Sequence, residues 1–143
     1  MSLVFLDTNV PMYAGGGESE FKGPCLGLLR AVAEGRLDAR TDAEVLQEIL
    51  HRFLALARRD QGYEIFDGFS RVMNGRILPV EAEDCRTARN FSVRYPGGSA
   101  RDLVHLAVCI RAGLERVVSA DKQFDRFREV ERVDPRRLSA ALP

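Results

Sequence analysis

Residues 99–121 read SARDLVHLAVCIRAGLERVVSAD, and the order of signals in this stretch decides the fold. Ser99 with an acid three places later is a helix start. From Leu103 to Ile110 the helix is apolar almost all round, which calls for burial on most sides, and Gly113 ends it. Val117 and Val118 then make a short apolar run that finishes on Asp121. A buried helix leading into such a strand is one step of the alternation that marks a parallel α/β sheet covered on both faces.

The chain opens on the same pattern. LVFL (3–6) runs straight into Asp7, Thr8 and Asn9. After the Gly15–Gly17 break a helix is expected around 25–33, closed by Gly35, and then a strand near 37–40. In TDAEVLQEILHRFLALARR (41–59) the residues Val45, Leu46, Ile49, Leu50, Phe53, Leu56 and Ala57 follow helical spacing. Helices at 63–73 and 82–95, a strand at 76–80, a short helix after Asp121 and a last strand near 130–133 complete the expected order. The 143 residues, 45% apolar and 29% charged, suit one domain over 1–143. No stretch reaches the ~18 apolar residues of a membrane span, and no secretory leader is visible, so a cytoplasmic address is expected.

Cys25, Cys85 and Cys109 lack disulfide or zinc spacing. A net charge of zero gives no global basic field, so any ligand has to be captured locally. Nineteen of the 21 basic residues are Arg, whose fork suits phosphate and carboxylate.

Open parallel sheets collect ligands beyond the carboxyl ends of their strands, where Asp7 and Asp121 are expected. Asp102 joins them if its helix starts at the same rim. Glu48 lies about 60° round the helical wheel from Val45, at the edge of the apolar stripe, and can face the same crevice. Two unit charges ~4 Å apart at an effective dielectric of ~20 repel by about 4 kcal/mol, so such a cluster needs a cation. Raised pKa values are the alternative, but all-oxygen donors suit Mg²⁺ or Mn²⁺, which can lower the pKa of a bound water and neutralise a leaving oxygen.

Each residue also has a purely structural reading. Asp7 can be an ordinary strand-end acid, Asp102 a capping-box partner of Ser99, Asp121 an N-cap, and Asp125 a surface acid. Glu48 can pair with Arg52 one turn on. Thr41 and Glu44 read as a second capping box, which leaves Glu44 structural. Thr8 is placed to hydrogen-bond a ligating carboxylate, Asn9 to cap a helix before Pro11, and Ser119 to support Asp121. His105 reads as a hydrogen-bonded core residue and His51 as solvent-facing. The glycines at 15–17 lack the continuation of a P-loop.

FLDTN (5–9), EVLQEILHRF (44–53), ARDLVHLAVC (100–109) and VVSADKQFD (117–125) together resemble a PIN domain, in order and spacing over nearly the whole chain. The resemblance implies a three-layer α/β/α sandwich with a central parallel sheet and a metal-dependent ribonuclease site of four acids, Asp7, Glu48, Asp102 and Asp121. It adds Asp125 as a further metal ligand, with Thr8, Asn9 and Ser119 as the polar residues supporting the acids. Small PIN proteins of this length are mostly VapC-type toxins, which implies an RNA substrate, a cognate antitoxin and a homodimer. The expected chemistry is hydrolysis, one or two Mg²⁺ or Mn²⁺ ions activating water for attack on an RNA phosphodiester, with Arg52 and Arg101 contacting phosphates. Two rivals remain: a haloacid-dehalogenase-like phosphatase, which needs an Asp where Asn9 stands, and a PIN fold that binds RNA or protein without cutting.

Overall fold

The computed structural model describes residues 3–143. Strand β1 (Val4–Leu6) is fully buried and leads into a short helix α1 (Asn9–Ala14), then α2 (Lys22–Ala33). β2 (Ala39–Asp42) passes directly into α3 (Ala43–Ala55), followed by α4 (Arg59–Val72) and the two-residue strand β3 (Ile77–Leu78). Next come α5 (Ala82–Arg94), α6 (Ala100–Ala112) and β4 (Arg116–Val118). A 3₁₀ turn (Lys122–Arg126), β5 (Glu131–Val133) and α7 (Pro135–Ala141) complete the order.

The sheet order is β3-β2-β1-β4-β5 and every pairing is parallel. Phe5 lies opposite Arg40 on one side and Val117 on the other. From β1 the chain moves to β2 and β3, then crosses back to β4. Right-handed crossovers therefore put α1–α4 on one face and α5–α6 on the other, the expected three layers. The direction of winding reverses between β1 and β4, and the carboxyl ends of those two strands open the crevice. Apolar residues from all three layers, among them Phe5, Leu28, Ile49, Phe69, Leu106 and Phe124, close the core. Among the described residues no helix is long and apolar enough to cross a membrane.

Several boundaries differ from expectation. Helix α3 stops at Ala55 because Ala57 turns left-handed at φ 55, a conformation no sequence signal announced at an alanine. α4 therefore begins earlier, at Arg59. The Thr41–Glu44 capping box does not form. β2 runs two residues further than the pattern indicated, Thr41 Oγ1 donates to the Leu6 carbonyl at 3.0 Å, and Asp42 becomes the N-cap. Its carboxylate accepts from the Val45 amide at 3.0 Å. Asn9 does not cap α1 either, because it is already the first helical residue and its side chain is engaged elsewhere. The C-terminal helix α7, started by Asp134 as N-cap with Pro135 at its first position, was also unforeseen.

Candidate active site

Beyond the ends of β1 and β4 lies a cleft of about 600 Å³ whose lining includes Asp7, Glu48, Asp102 and Asp121. Four separate segments deliver these acids. Asp7 follows β1 and is only 5% exposed, because its amide still extends the ladder by donating to the Val118 carbonyl at 3.0 Å. Its Oδ1 accepts from the Thr8 amide at 2.8 Å. Oδ2 accepts from Ser119 Oγ at 2.7 Å and Asn9 Nδ2 at 3.2 Å. Burial pushes the Asp7 carboxyl up to about 6. The His105 charge and the Ser119 hydrogen bond oppose that rise, and the Asp102 charge adds to it.

Asp102 sits in the first turn of α6, where Ser99 Oγ caps its amide at 3.1 Å. Burial raises its pKa too, with His105 opposing and the charges of Asp121 and Glu48 reinforcing. Asp121 is exposed at the lip of the cleft. Its amide donates to Ser119 Oγ at 3.0 Å, and its own Oδ1 caps the following turn at Gln123, 2.9 Å. Ser119 thus ties the first acid to the last. Asn9 bridges the same two segments, with Nδ2 donating to Ser119 Oγ at 2.8 Å and Oδ1 accepting from the Ala120 amide at 3.1 Å.

Glu48 does not pair with Arg52. Its Oε2 accepts from Thr8 Oγ1 at 2.6 Å and its Oε1 from His105 Nε2 at 2.8 Å. Burial works to raise its pKa, yet the hydrogen bond and charge of His105 and the Thr8 hydroxyl hold it below its usual range. His105 is completely buried, as the sequence indicated, but its partners make it more than a core residue. Nδ1 lies 2.7 Å from Asp42 Oδ2, and Nε2 lies 3.9 Å from Asp7 Oδ1 besides its bond to Glu48. Ionised carboxylates only accept, so both ring nitrogens donate and the ring is an imidazolium. Burial acts to lower the His105 pKa, but Asp42, Glu48 and Asp7 lift it well above its ordinary value.

Asp42, fully buried beneath the cleft, was missed in the sequence. Its N-cap role was the only readable signal, and its second partner lies 63 positions away. Glu44, assigned a structural role, is half-buried and absent from the cleft lining, with its pKa raised by burial and by Glu48. Asp125 is not among the residues lining the cleft; Arg132 Nε binds its Oδ1 at 2.8 Å while Arg132 Nη1 holds the Ser119 carbonyl at 3.0 Å.

The cleft walls are cationic. Arg52 and Arg101 line it as expected, and so does Arg126, which the sequence did not single out. Arg126 lies flat against the chain at Gly97, where a Cβ would sit 2.8 Å from its Nη1. Among the described residues none of the three forms an ion pair, so their charge faces the cleft uncommitted. His51 is solvent-exposed, also at this wall.

Among the described residues no three His, Cys, Asp or Glu side chains close on one point as a finished metal site. The donor set nevertheless suits a hard cation. Both His105 nitrogens are occupied by carboxylates, which leaves only oxygens to offer. Burial raises the pKa values of Asp7 and Asp102, with neighbouring carboxylates adding to the rise, so a cation bound beside them would favour their charged forms.

The family model for the PIN domain matches residues 4–130. Ribonuclease VapC13 of Mycobacterium tuberculosis is 37% identical over 131 residues, 92% of this chain and 99% of its own length. In structure the chain is similar to VapBC2 of Rickettsia felis, bound to a DNA fragment from its promoter. The TM-score is 0.69 at 17% identity, covering 93% of this chain and 100% of that one. It is also similar to VapC20 of Mycobacterium tuberculosis, described as a toxin cleaving the sarcin–ricin loop. Here the TM-score is 0.66 at 22% identity, covering 89% of this chain and 98% of that one. With the family model spanning most of the sequence and a relative alike along nearly its full length, the chain belongs to the PIN domain family, among the VapC ribonucleases.

Proposed function

We propose that this protein is a metal-dependent endoribonuclease, the toxin of a toxin–antitoxin pair, which hydrolyses RNA phosphodiesters at the cleft between β1 and β4. The observation that carries the reading is the meeting of Asp7, Glu48, Asp102 and Asp121, from four distant segments, in a cleft that Arg52, Arg101 and Arg126 also line. These acids are the residues that would hold Mg²⁺ or Mn²⁺. A divalent ion bound there supplies electrostatic stabilisation of the charge developing on the phosphodiester oxygens.

The chain's own side chains perform the rest. Thr8 and His105 fix both oxygens of Glu48, so this carboxylate keeps one orientation through a reaction cycle. The Thr8 amide, Ser119 and Asn9 fix Asp7 in the same way. Arg52 and Arg101 bind phosphates flanking the cut and offset the chain's lack of net positive charge. The protein acts in the cytoplasm as a homodimer and is restrained by a cognate antitoxin, in keeping with relatives whose solved structures are VapBC pairs.

Cleavage of RNA with Mg²⁺ or Mn²⁺, wild type against Asp7→Asn, tests the activity. The variant should lose at least ~100-fold in rate, the size of effect expected for a group stabilising transition-state charge. Equal cutting by both would remove Asp7 from the mechanism. Growth arrest on expression, relieved by co-expressing the neighbouring gene's product, tests the pairing.

A further inference from the structure

A second cavity of about 430 Å³ opens off the acid cleft and shares Asn9, Met12, Arg52 and Leu56 with it. Resting on the ribonuclease reading above, we infer that this cavity is a nucleotide subsite, which holds the RNA residue next to the phosphodiester lying over the acids. A strand that crosses the cleft has to leave it, and this is a walled exit with the chemistry of a nucleotide. Met12 and the half-exposed Leu56 offer apolar surface to a base. Beside them the Tyr13 ring is held in place by stacking on Phe21 at 4.8 Å. Arg52 and Arg58 offer guanidinium groups that have no ion-pair partner among the described residues. One of them is common to both cavities and the other belongs only to the second, an arrangement that suits successive phosphates on a single strand.

The far wall is built to keep its shape. After α1 the chain folds back on that helix at Gly16, where a Cβ would sit 2.8 Å from the Met12 carbonyl. Lys22 Nζ pins the loop by donating to the Gly16 carbonyl at 2.8 Å and pairs at 3.7 Å with Glu18, the acid in this cavity's lining. The opposite lip is the α3–α4 turn. There Ala57 holds its left-handed conformation while the Arg58 amide returns to the Phe53 carbonyl at 2.9 Å. A loop pinned by Lys22 and a turn held in left-handed geometry at Ala57 border the cavity and help preorganise it for an occupant.

The test uses a labelled single-stranded RNA that the wild-type protein cleaves in Mg²⁺ or Mn²⁺. Arg58→Ala should raise KM roughly tenfold, the value of one charge-assisted contact. It should also flatten the dependence of log KM on log salt by about 0.7, one phosphate's worth for a single strand. Leu56→Ala should raise KM several-fold with the salt dependence unchanged. Removing the base on one side of the cut should slow the wild type and have much less effect on Leu56→Ala. That loss of sensitivity couples Leu56 to one base.

Wild-type KM and salt dependence in both variants would overturn the subsite while leaving the ribonuclease reading intact. Variants that cut RNA normally but escape inhibition by the antitoxin would reassign the cavity to protein docking. A wild-type protein that cuts no RNA would overturn both readings together.

Discussion

Asp7→Asn should make the protein more stable at neutral pH while abolishing cleavage. Burial raises the Asp7 carboxyl from 3.8 to about 6, and each unit corresponds to about 1.4 kcal/mol. The folded pKa lies above the unfolded one, so between about pH 4 and pH 6 the folded state keeps a proton that the unfolded chain has released. Stability contributed by this group therefore falls as pH rises through that window, and at pH 7 the ionised side chain costs about 3 kcal/mol, roughly half of which is already present at pH 5. Asparagine removes the charge and keeps the shape. Its oxygen still accepts from the Thr8 amide, but Ser119 Oγ already accepts from Asn9 Nδ2 and the Asp121 amide, so its bond to position 7 is lost, at about 1 kcal/mol. The Asn9 Nδ2 contact at 3.2 Å becomes donor against donor, a loss of about 1 kcal/mol. The net expectation is a gain of about 1 kcal/mol at pH 7, vanishing toward pH 5. Urea unfolding of both proteins at the two pH values, with EDTA, measures it. Adding Mn²⁺ should reverse the order, since only the wild type gains binding free energy. A variant less stable than wild type in EDTA at pH 7, or a difference that does not change with pH, would refute the reasoning.

Three further outcomes follow from particular contacts. His105→Leu leaves Asp42 and Glu48 without their shared partner and should destabilise by about 3–5 kcal/mol in chemical unfolding. The His105 pKa is raised in the fold, so its stabilisation is complete below about pH 6.5 and is lost as pH climbs through the folded value. Stability curves of the wild type should show this alkaline decline and those of His105→Gln should not. Asp125→Asn should retain cleavage and lose no more than about 1 kcal/mol, because Asp125 is itself exposed and its Asn replacement can still accept from Arg132. Loss of cleavage in that variant would return Asp125 to the site. Ala57→Gly, at φ 55, should raise stability by about 0.5–1 kcal/mol in thermal or urea melts.

Much of the fold was legible because its signals are local. A helix apolar on most sides, a glycine that ends it, and short apolar runs finishing on Asp7 and Asp121 depend on residues a few places apart. Each persists in the folded chain. Boundaries were less legible where the deciding force acts across the sheet. Thr41 carries a local cap signal, but pairing with Ile77 and the bond to Leu6 draw it into β2, and the cap passes to Asp42. The stop of α3 was hidden because nothing in an alanine marks it for left-handed geometry.

The candidate site divides the same way. The acids at strand ends and helix starts could be named from sequence, since a charge at the end of a buried run has few places to point. Their partners could not. Asp42 presents only an ordinary helix-cap signal, and its importance comes from His105, which packing brings within 2.7 Å. Asp125 follows the last acid closely in sequence, and its partner Arg132, at 2.8 Å, comes from β5. Arg126 became part of the cleft only because Gly97 leaves room for it. Local backbone preference and hydrophobic period are short-range properties carried by neighbouring residues, and they determined the sheet, its helices and the positions of the acids. Which charges meet is decided through space, by the burial that brings distant segments together, and only the tertiary structure supplies that.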